Sequence, residues 1–235
     1  MAPVIETNEL TRTFNGLTAV DKLNITVETG EIFGLLGPNG AGKTTFLRIL
    51  ASLSTPTLGE VDVAGYRLPK EAAAVRARLG VVSHLPLLYG DLSAEENLRF
   101  YGRMYGIPDL EPRITEVLEM VGLENRRRDL TRTFSRGMQQ RLAIGRAVLH
   151  DPDVMLFDEP YTGLDQDAST MLDEVLKTVA ARGRTVVMTS HDLARAEDLA
   201  TRFDILSRGV ISASTTSGQL ENSNLLAFYK QALAG

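Results

Sequence analysis

The feature that most constrains this chain is a glycine-rich loop between an apolar run and a helix-like segment. The apolar run covers positions 32–36, and the loop reads Gly-Pro-Asn-Gly-Ala-Gly-Lys-Thr at positions 37–44. A strand, a G-x-x-x-x-G-K-T loop and a helix in this order are typical of a phosphate-binding P-loop. Glycine permits backbone conformations that aim successive N–H groups at phosphate oxygens beside the helix N-terminus. The sequence therefore predicts a nucleoside triphosphate site, and a purely structural glycine turn explains the pattern less well.

The loop supplies most of the candidate ligands of this nucleotide. Lys43 is expected to reach the β- and γ-phosphates, and the Thr44 hydroxyl is expected to coordinate Mg²⁺. The other candidates here are Asn39, Gly40, Gly42 and Thr45. A nucleoside triphosphate and Mg²⁺ are therefore the expected ligands.

Polar residues that end two further apolar runs supply candidate catalytic groups. Asp158 and Glu159 follow four apolar residues, where Asp158 can hold Mg²⁺ and Glu159 can polarise an attacking water. A surface acidic pair is the alternative. His191 ends another apolar run and is expected to contact the γ-phosphate, although such a histidine alone is more often structural or capping.

Hydrophobic periodicity predicts an α/β fold with a helical insertion. Strands are expected at 4–14, 17–27, 59–64 and 79–83, with a helix at 71–78. A Ser-x-x-Glu capping box at Ser93 predicts a helix to about Tyr105, and further helices are expected at 111–121 and 135–148. Strands at 154–157 and 185–189 then alternate with helices at 166–181 and 193–200, before a hairpin at 204–213 and a helix at 225–234. We expect one domain, with a P-loop NTPase core (1–84 and 151–235), an N-terminal antiparallel β subdomain and an inserted helical subdomain (85–150).

Composition excludes several other classes of protein. The chain has 235 residues, no cysteine and a net charge of -5. An acidic chain is not typical of a nucleic-acid binder, and a chain without cysteine cannot form disulfides or thiolate metal sites. No apolar run approaches the ~20 residues of a transmembrane helix, and the N-terminus lacks the pattern of a signal peptide. We expect a protein that is neither exported nor embedded in a membrane by itself.

Further motifs resemble those of the ATP-binding-cassette (ABC) ATPases. Phe-Ser-Arg-Gly-Met at 134–138, followed by Gln-Gln-Arg, resembles the family's signature motif. Asp-Glu-Pro at 158–160 and the segment ending at Asp165 resemble its Walker B motif and D-loop, and His191 resembles its switch histidine. Phe14 falls where the family has an adenine-stacking aromatic, although a strand phenylalanine is a core residue nearly as often. The resemblance covers the whole chain, with the motifs in the same order.

The resemblance implies an ATPase that works as a dimer in membrane transport. Two copies would meet head to tail and hold each ATP between Lys43 of one copy and Ser135 and Gly137 of the other. A separate transmembrane permease would bind the dimer at the cytoplasmic face of the cell membrane. We expect the helical segment from about Leu87 to Tyr105 to dock on it.

The chain also departs from the family pattern. Arg136 and Met138 replace a glycine and a glutamine of the signature motif, and His84 stands where the family usually has a glutamine that links nucleotide to permease. His84 is therefore a candidate catalytic residue, with an exposed loop histidine as the alternative. Within the family, segments 83–89, 95–101 and 134–140 resemble the haem-exporter ATPase of cytochrome c biogenesis, and also the broader group of exporters with a separate permease. A soluble cassette ATPase, such as the iron–sulfur assembly type, is the other hypothesis.

Overall fold

The strands and helices of the chain follow the predicted alternation closely. The computed structural model describes residues 3–83, 85–162, 164, 166–190, 192–220 and 224–234. The strands are β1 (Ile5–Phe14), β2 (Leu17–Leu23), β3 (Thr26–Val27), β4 (Ile32–Leu36), β5 (Leu58–Val63), β6 (Tyr66–Leu68), β7 (Leu79–Val82), β8 (Val154–Asp158), β9 (Thr185–Ser190), β10 (Arg202–Ser207) and β11 (Val210–Thr216). The helices are α1 (Lys43–Leu50), α2 (Ala72–Ala77), α3 (Ala94–Met104), α4 (Leu110–Met120), α5 (Arg136–Val148), α6 (Gln166–Ala181), α7 (Leu193–Leu199) and α8 (Leu225–Ala234). Short 3₁₀ helices lie at Glu124–Arg126, Thr131–Thr133 and Ser217–Leu220.

The strands form two sheets of different kinds. The five-stranded sheet has the order β2-β1-β5-β6, with β3 also paired to β1, and its pairs are antiparallel. The six-stranded sheet has the order β11-β10-β4-β9-β8-β7, and it is parallel from β10 to β7. Every residue of β4 and β9 is buried, as expected for strands covered on both faces. The parallel sheet therefore gathers the carboxyl ends of β4, β8 and β9 at one edge, which confirms the predicted fold class.

The helices between β7 and β8 pack on the parallel sheet rather than around a core of their own. The Ser93 hydroxyl accepts a hydrogen bond from the Glu96 N–H at 3.3 Å, and the Glu96 carboxylate accepts one from the Ser93 N–H at 2.8 Å, so the predicted capping box opens α3. Buried Leu98, Ile114 and Leu142 from these helices belong to the same apolar cluster as Phe157 of the sheet. Among the residues that the structure describes, no helix combines the length and the apolar character that crossing a bilayer requires.

The strand expected at 17–27 is in fact two strands, because side chains interrupt the backbone ladder. The Ile25 N–H donates to the Thr7 hydroxyl at 2.9 Å, and the Glu9 N–H donates to the Asn24 side chain at 2.9 Å. These bonds replace backbone partners, so β2 ends at Leu23 and β3 begins at Thr26. The sequence reading also missed β6, a strand of three residues that closes a hairpin with β5.

Candidate nucleotide site

The P-loop joins the carboxyl end of β4 to the amino end of α1. Gly42 has a φ of 112°, and a Cβ at this position would lie 2.3 Å from the Ala19 carbonyl oxygen of β2. Only glycine fits such a conformation so close to another backbone. The loop borders a cavity of about 210 Å³. Its lining contains most of the predicted nucleotide ligands and two other loop or strand residues: Ala19, Asn39, Gly40, Ala41, Gly42, Lys43, Thr44, Thr45 and Glu159.

Lys43 links the P-loop to the acidic end of β8. Its side chain is 7% exposed, and its ammonium lies 3.5 Å from the Glu159 carboxylate. The same ammonium donates to the carbonyl oxygens of Gly37 at 2.7 Å and Pro38 at 3.2 Å. A buried cation needs such partners, and phosphate oxygens are stronger acceptors for it than peptide carbonyls. Lys43 is therefore placed where a triphosphate can take over these hydrogen bonds.

Asp158 and Thr44 form the pair of oxygen ligands that the sequence predicted for Mg²⁺. The Thr44 hydroxyl donates to Asp158 Oδ1 at 3.0 Å, and the Thr189 hydroxyl donates to the same oxygen at 2.9 Å. Hydroxyl and carboxylate oxygens suit Mg²⁺, which usually keeps several waters and takes further ligands from substrate phosphates. The described part of the chain holds no cluster of three or more His, Cys, Asp or Glu side chains able to bind a metal. The two oxygens therefore fit Mg²⁺ bound together with a nucleotide.

Glu159 adopts a backbone conformation that is unusual for its residue type. Its φ is 51°, in the left-handed region, which costs roughly 1–3 kcal/mol for such a residue. The Glu159 N–H donates to the Thr189 hydroxyl at 3.1 Å, which helps to fix this conformation. Thr189 thus holds both acidic residues, and the sequence reading did not single it out. The available signal was a polar residue near the end of the apolar run that leads to His191.

The signature segment begins α5 and does not line the P-loop cavity of its own chain. Ser135 is exposed, and its hydroxyl caps the helix by accepting a hydrogen bond from the Met138 N–H at 3.2 Å. Gly137 lies in the first turn, where helical N–H groups have no partner within the helix. Arg136 lines a second cavity of about 340 Å³ together with Glu159. Its guanidinium donates to the Thr162 carbonyl at 3.5 Å, a contact that the glycine of the usual motif cannot make.

Phe14 lies at the tip of the β1–β2 hairpin, outside the P-loop cavity. Its side chain is 43% exposed, and the Arg12 guanidinium carbon lies 4.3 Å from the ring centroid. Phe14 is therefore not a core residue. An exposed ring can stack on a base, and the contact of Phe14 with adenine stays a prediction. His84, Asp165 and His191 lie outside the described residues, and their predicted roles stay predictions as well.

Comparisons with known proteins agree with this arrangement. Residues 20–162 match the family model of the ABC transporter. The chain is 39% identical over 211 residues to the Nod factor export ATP-binding protein I of Cupriavidus pinatubonensis, covering 89% of this chain and 65% of that protein. It is 36% identical to the linearmycin resistance ATP-binding protein LnrL of Bacillus subtilis, covering 92% of this chain and 70% of that protein. The chain thus spans about two thirds of the length of these relatives.

Two solved structures have the same fold. An ATP-binding subunit of an ABC transporter superposes with a TM-score of 0.90 at 30% identity, covering 98% of this chain and 99% of the other. A dimeric, post-hydrolysis ATP-binding cassette bound to ADP and phosphate gives a TM-score of 0.84 at 27% identity, covering 91% and 98% of the two chains. The motifs, the geometry around Lys43 and these matches lead to one conclusion: the chain belongs to the ABC transporter family and is an ATP-binding cassette ATPase.

Proposed function

We propose that this ATPase works as a dimer and drives export through a separate membrane subunit. The observation that carries the proposal is the separation of two phosphate-binding elements within one chain. Lys43 and Thr44 line the P-loop cavity, whereas Ser135, which caps the exposed start of α5, does not line it. A second copy would supply the missing helix end to each nucleotide. The dimeric cassette with ADP and phosphate supports this arrangement.

The proposed chemistry at each nucleotide follows from the groups at the end of β8. Mg²⁺, held by Thr44 and Asp158 together with phosphate oxygens, would neutralise charge on the triphosphate. Lys43 would bind and orient the β- and γ-phosphates. Glu159 would accept the proton of the attacking water, with its carboxylate held near the phosphates by the contact to Lys43. Ser135 and Gly137 of the other copy would direct N–H groups at the γ-phosphate.

An exposed apolar surface on α3 and the preceding loop supports docking on a partner. Six large apolar side chains here are exposed: Leu85, Leu87, Tyr89, Phe100, Met104 and Tyr105. A cavity of about 170 Å³ lies beside them, between Leu53 and Val81 on the core side and Leu87 and Tyr105 on the helical side. Large exposed apolar patches are rare on monomeric soluble proteins, and those that occur usually mark an interaction site. We infer that the membrane subunit inserts a cytoplasmic segment here, at the cytoplasmic face of the membrane.

The names of the relatives bear on the exported compound. They describe Nod factor export and linearmycin resistance, and none of the relatives described above is named for haem. We therefore infer export of a compound other than haem, and keep haem export for cytochrome c biogenesis as the alternative. Because the permease selects the compound in such systems, identifying the membrane partner would distinguish haem export from export of another compound.

The direct test is recovery of a membrane partner from solubilised membranes. Wild-type protein is expected to sediment with membranes and to co-purify with a multi-spanning protein. A Phe100→Glu/Met104→Glu variant should lose that partner and keep its basal ATPase activity, because a buried carboxylate at an apolar interface is costly. Leu58→Glu is the matched control, since Leu58 is 66% exposed on the antiparallel sheet and should keep the partner. Retention of the partner by the double variant would exclude this surface as the docking site, and soluble wild-type protein without a partner would favour the iron–sulfur type.

A further inference from the structure

A polar cluster fastens the segment that follows Glu159 to two helices. The Tyr161 hydroxyl donates to Asp173 Oδ1 at 2.5 Å, and Arg195 Nη1 donates to Asp173 Oδ2 at 3.0 Å. The Arg195 guanidinium carbon also lies 5.0 Å from the Tyr161 ring centroid. Asp173 thus accepts one hydrogen bond on each oxygen, and the arginine contacts both other members of the cluster.

The members of this cluster come from three different segments of the chain. Tyr161 is the second residue after Glu159, Asp173 lies in α6, and Arg195 lies in α7. Arg195 Nε also lies 3.7 Å from Asp192 Oδ2, and Asp192 is the N-cap of α7 and the residue after His191 in the sequence. The cluster therefore connects the chain that leaves the catalytic glutamate with the helix that begins beside the predicted switch histidine.

The side chains of the cluster are buried enough for its bonds to matter. The Asp173 side chain is 26% exposed and that of Arg195 is 23% exposed. Burial and the hydrogen bond to Asp173 raise the pKa of Tyr161 well above its usual value, so its hydroxyl remains a donor. Charge-assisted bonds in such surroundings are stronger and less screened than surface ion pairs.

The conformation of Glu159 gives the cluster a specific task. A non-glycine residue in the left-handed region persists only when its surroundings constrain it from several sides. Thr189 holds the N–H of Glu159 itself, on the side toward β8. On the other side, the Glu159 carbonyl oxygen accepts a hydrogen bond from the Thr162 N–H at 3.2 Å, and the Tyr161 hydroxyl ties this turn to Asp173.

We propose that Asp173 and Arg195 are positioning residues for ATP hydrolysis, which act through Tyr161 to hold Glu159 in its productive conformation. The inference rests on the proposed role of Glu159 as the group that accepts the proton of water. Neither residue touches the nucleotide in this proposal. Loss of the cluster should therefore lower kcat and leave ATP affinity nearly unchanged.

A second cluster of the same residue types provides a matched control. Arg78 Nη1 donates to Asp153 Oδ2 at 2.8 Å, Arg78 Nη2 donates to the Tyr66 hydroxyl at 3.3 Å, and the guanidinium carbon lies 5.2 Å from the Tyr66 ring centroid. Asp153 directly precedes β8, so this cluster lies at the amino end of the parallel sheet, opposite the nucleotide site. Loss of this second cluster removes the same kinds of interaction and should leave the conformation of Glu159 unchanged.

The experiment compares Tyr161→Phe and Asp173→Asn with Tyr66→Phe and Asp153→Asn. For the first pair, kcat is expected to fall by about tenfold or more, which corresponds to ~1.4 kcal/mol in the barrier, with ATP affinity within about twofold of wild type. The control pair should keep kcat within about twofold at a comparable change in melting temperature. Equal kcat values for all four variants and the wild type would overturn the proposal, and so would equal losses in both pairs.

Two further variants keep the test decisive if Asp173→Asn folds poorly. Arg195→Lys retains the charge but not the fork of donors, so its kcat should lie between those of wild type and Arg195→Gln. A Tyr161→Phe/Arg195→Gln double variant should be no slower than the slower single variant, because the residues act as one unit. Additive losses would contradict this. Failure of the proposed function itself would look different, since Glu159→Gln would then retain turnover.

Discussion

The two ends of the parallel sheet use the same kinds of charged residue for different purposes. At the amino end, Arg184 donates to Asp153 Oδ1 at 2.7 Å and to Asp151 Oδ2 at 2.5 Å, and Arg78 binds the other oxygen of Asp153 at 2.8 Å. At the carboxyl end, Asp158 receives hydrogen bonds from the Thr44 and Thr189 hydroxyls.

The difference shows how one sheet separates stability from chemistry. Two guanidinium groups occupy both oxygens of Asp153, and one of them also binds Asp151, which leaves these oxygens little capacity for a ligand. Hydroxyl partners at the carboxyl end leave Asp158 available to a cation, and one buried ammonium, that of Lys43, faces Glu159. Ligands of open α/β sheets bind outside the carboxyl ends of the strands. The hydroxyl partners of Asp158 agree with this rule, because they leave its carboxylate available at that end of the sheet.

The largest expected effect comes from replacing Glu159 at the carboxyl end of the parallel sheet. Glu159→Gln should lower kcat by about 10²–10⁴-fold, because an amide cannot accept the proton of water. ATP should still bind, and the variant should accumulate as an ATP-bound dimer. The measurements are turnover and gel filtration with ATP, with Asp153→Asn as the amino-end control. Near wild-type turnover, or a monomer in the presence of ATP, would contradict the assigned role.

The next effect concerns the buried cation. Lys43→Ala should weaken ATP binding by about 100-fold or more, since each hydrogen bond to a charged group contributes roughly 1.5–3 kcal/mol and the ammonium is placed to make several. Arg184→Ala removes a cation from the other end of the sheet and should leave the affinity unchanged. Equilibrium titration with a fluorescent ATP analogue measures both variants. Equal affinities in Lys43→Ala and wild type would remove the basis of the site.

Arg184→Ala should instead reduce stability. The substitution breaks the ion pairs to Asp151 and Asp153. Because the arginine is partly exposed, the free energy of unfolding should fall by about 1 kcal/mol. For a chain of this size, that loss lowers the melting temperature by roughly 2–4 °C. Thermal unfolding at low and high salt checks the prediction. A drop in kcat greater than about twofold would show that the two ends are not separate.

The smallest effect is a pH dependence at the amino end. Burial lowers the pKa of His150 to about 4, while its ring stacks on Tyr105 at 3.7 Å and its Nε2 lies 3.0 Å from the Leu79 carbonyl oxygen. The folded protein therefore keeps this ring neutral, whereas the unfolded chain takes up a proton near the usual pKa of ~6.5. The stability contributed by His150 is present above ~6.5 and is lost as the pH falls toward 4.

His150→Phe tests this contribution, because phenylalanine keeps a ring against Tyr105 and does not titrate. The variant should be somewhat less stable at pH 7.5, where it lacks the bond to Leu79. Its melting temperature should fall less steeply than that of wild type between pH 6.5 and 4.5. Parallel pH profiles of the two proteins would show that His150 does not contribute to the acid sensitivity.

Local signals in the sequence determined the P-loop, the acidic pair and most elements of the fold. The P-loop spacing, the apolar run before Asp158 and the capping box at Ser93 all lie within a few neighbouring residues, and each acts through backbone geometry that the same residues fix. For this reason, the predicted bounds of α6 agree with the observed bounds, Gln166–Ala181. The motif order was also sufficient to indicate the family, although not the compound that the system exports.

Only the tertiary structure decided which distant residues hold these groups. Thr189 bonds to Asp158 because β8 and β9 are neighbours in the sheet, and Tyr161 bonds to Asp173 because α6 folds back beside the segment after Glu159. The break between β2 and β3 likewise depends on Thr7, which comes from another strand. No periodic pattern in the sequence indicates the hydrogen-bond partner of a hydroxyl or a carboxylate, because the packing of segments far apart in sequence determines that partner. The sequence determined which side chains are candidates for the site, and the packing determined their orientation.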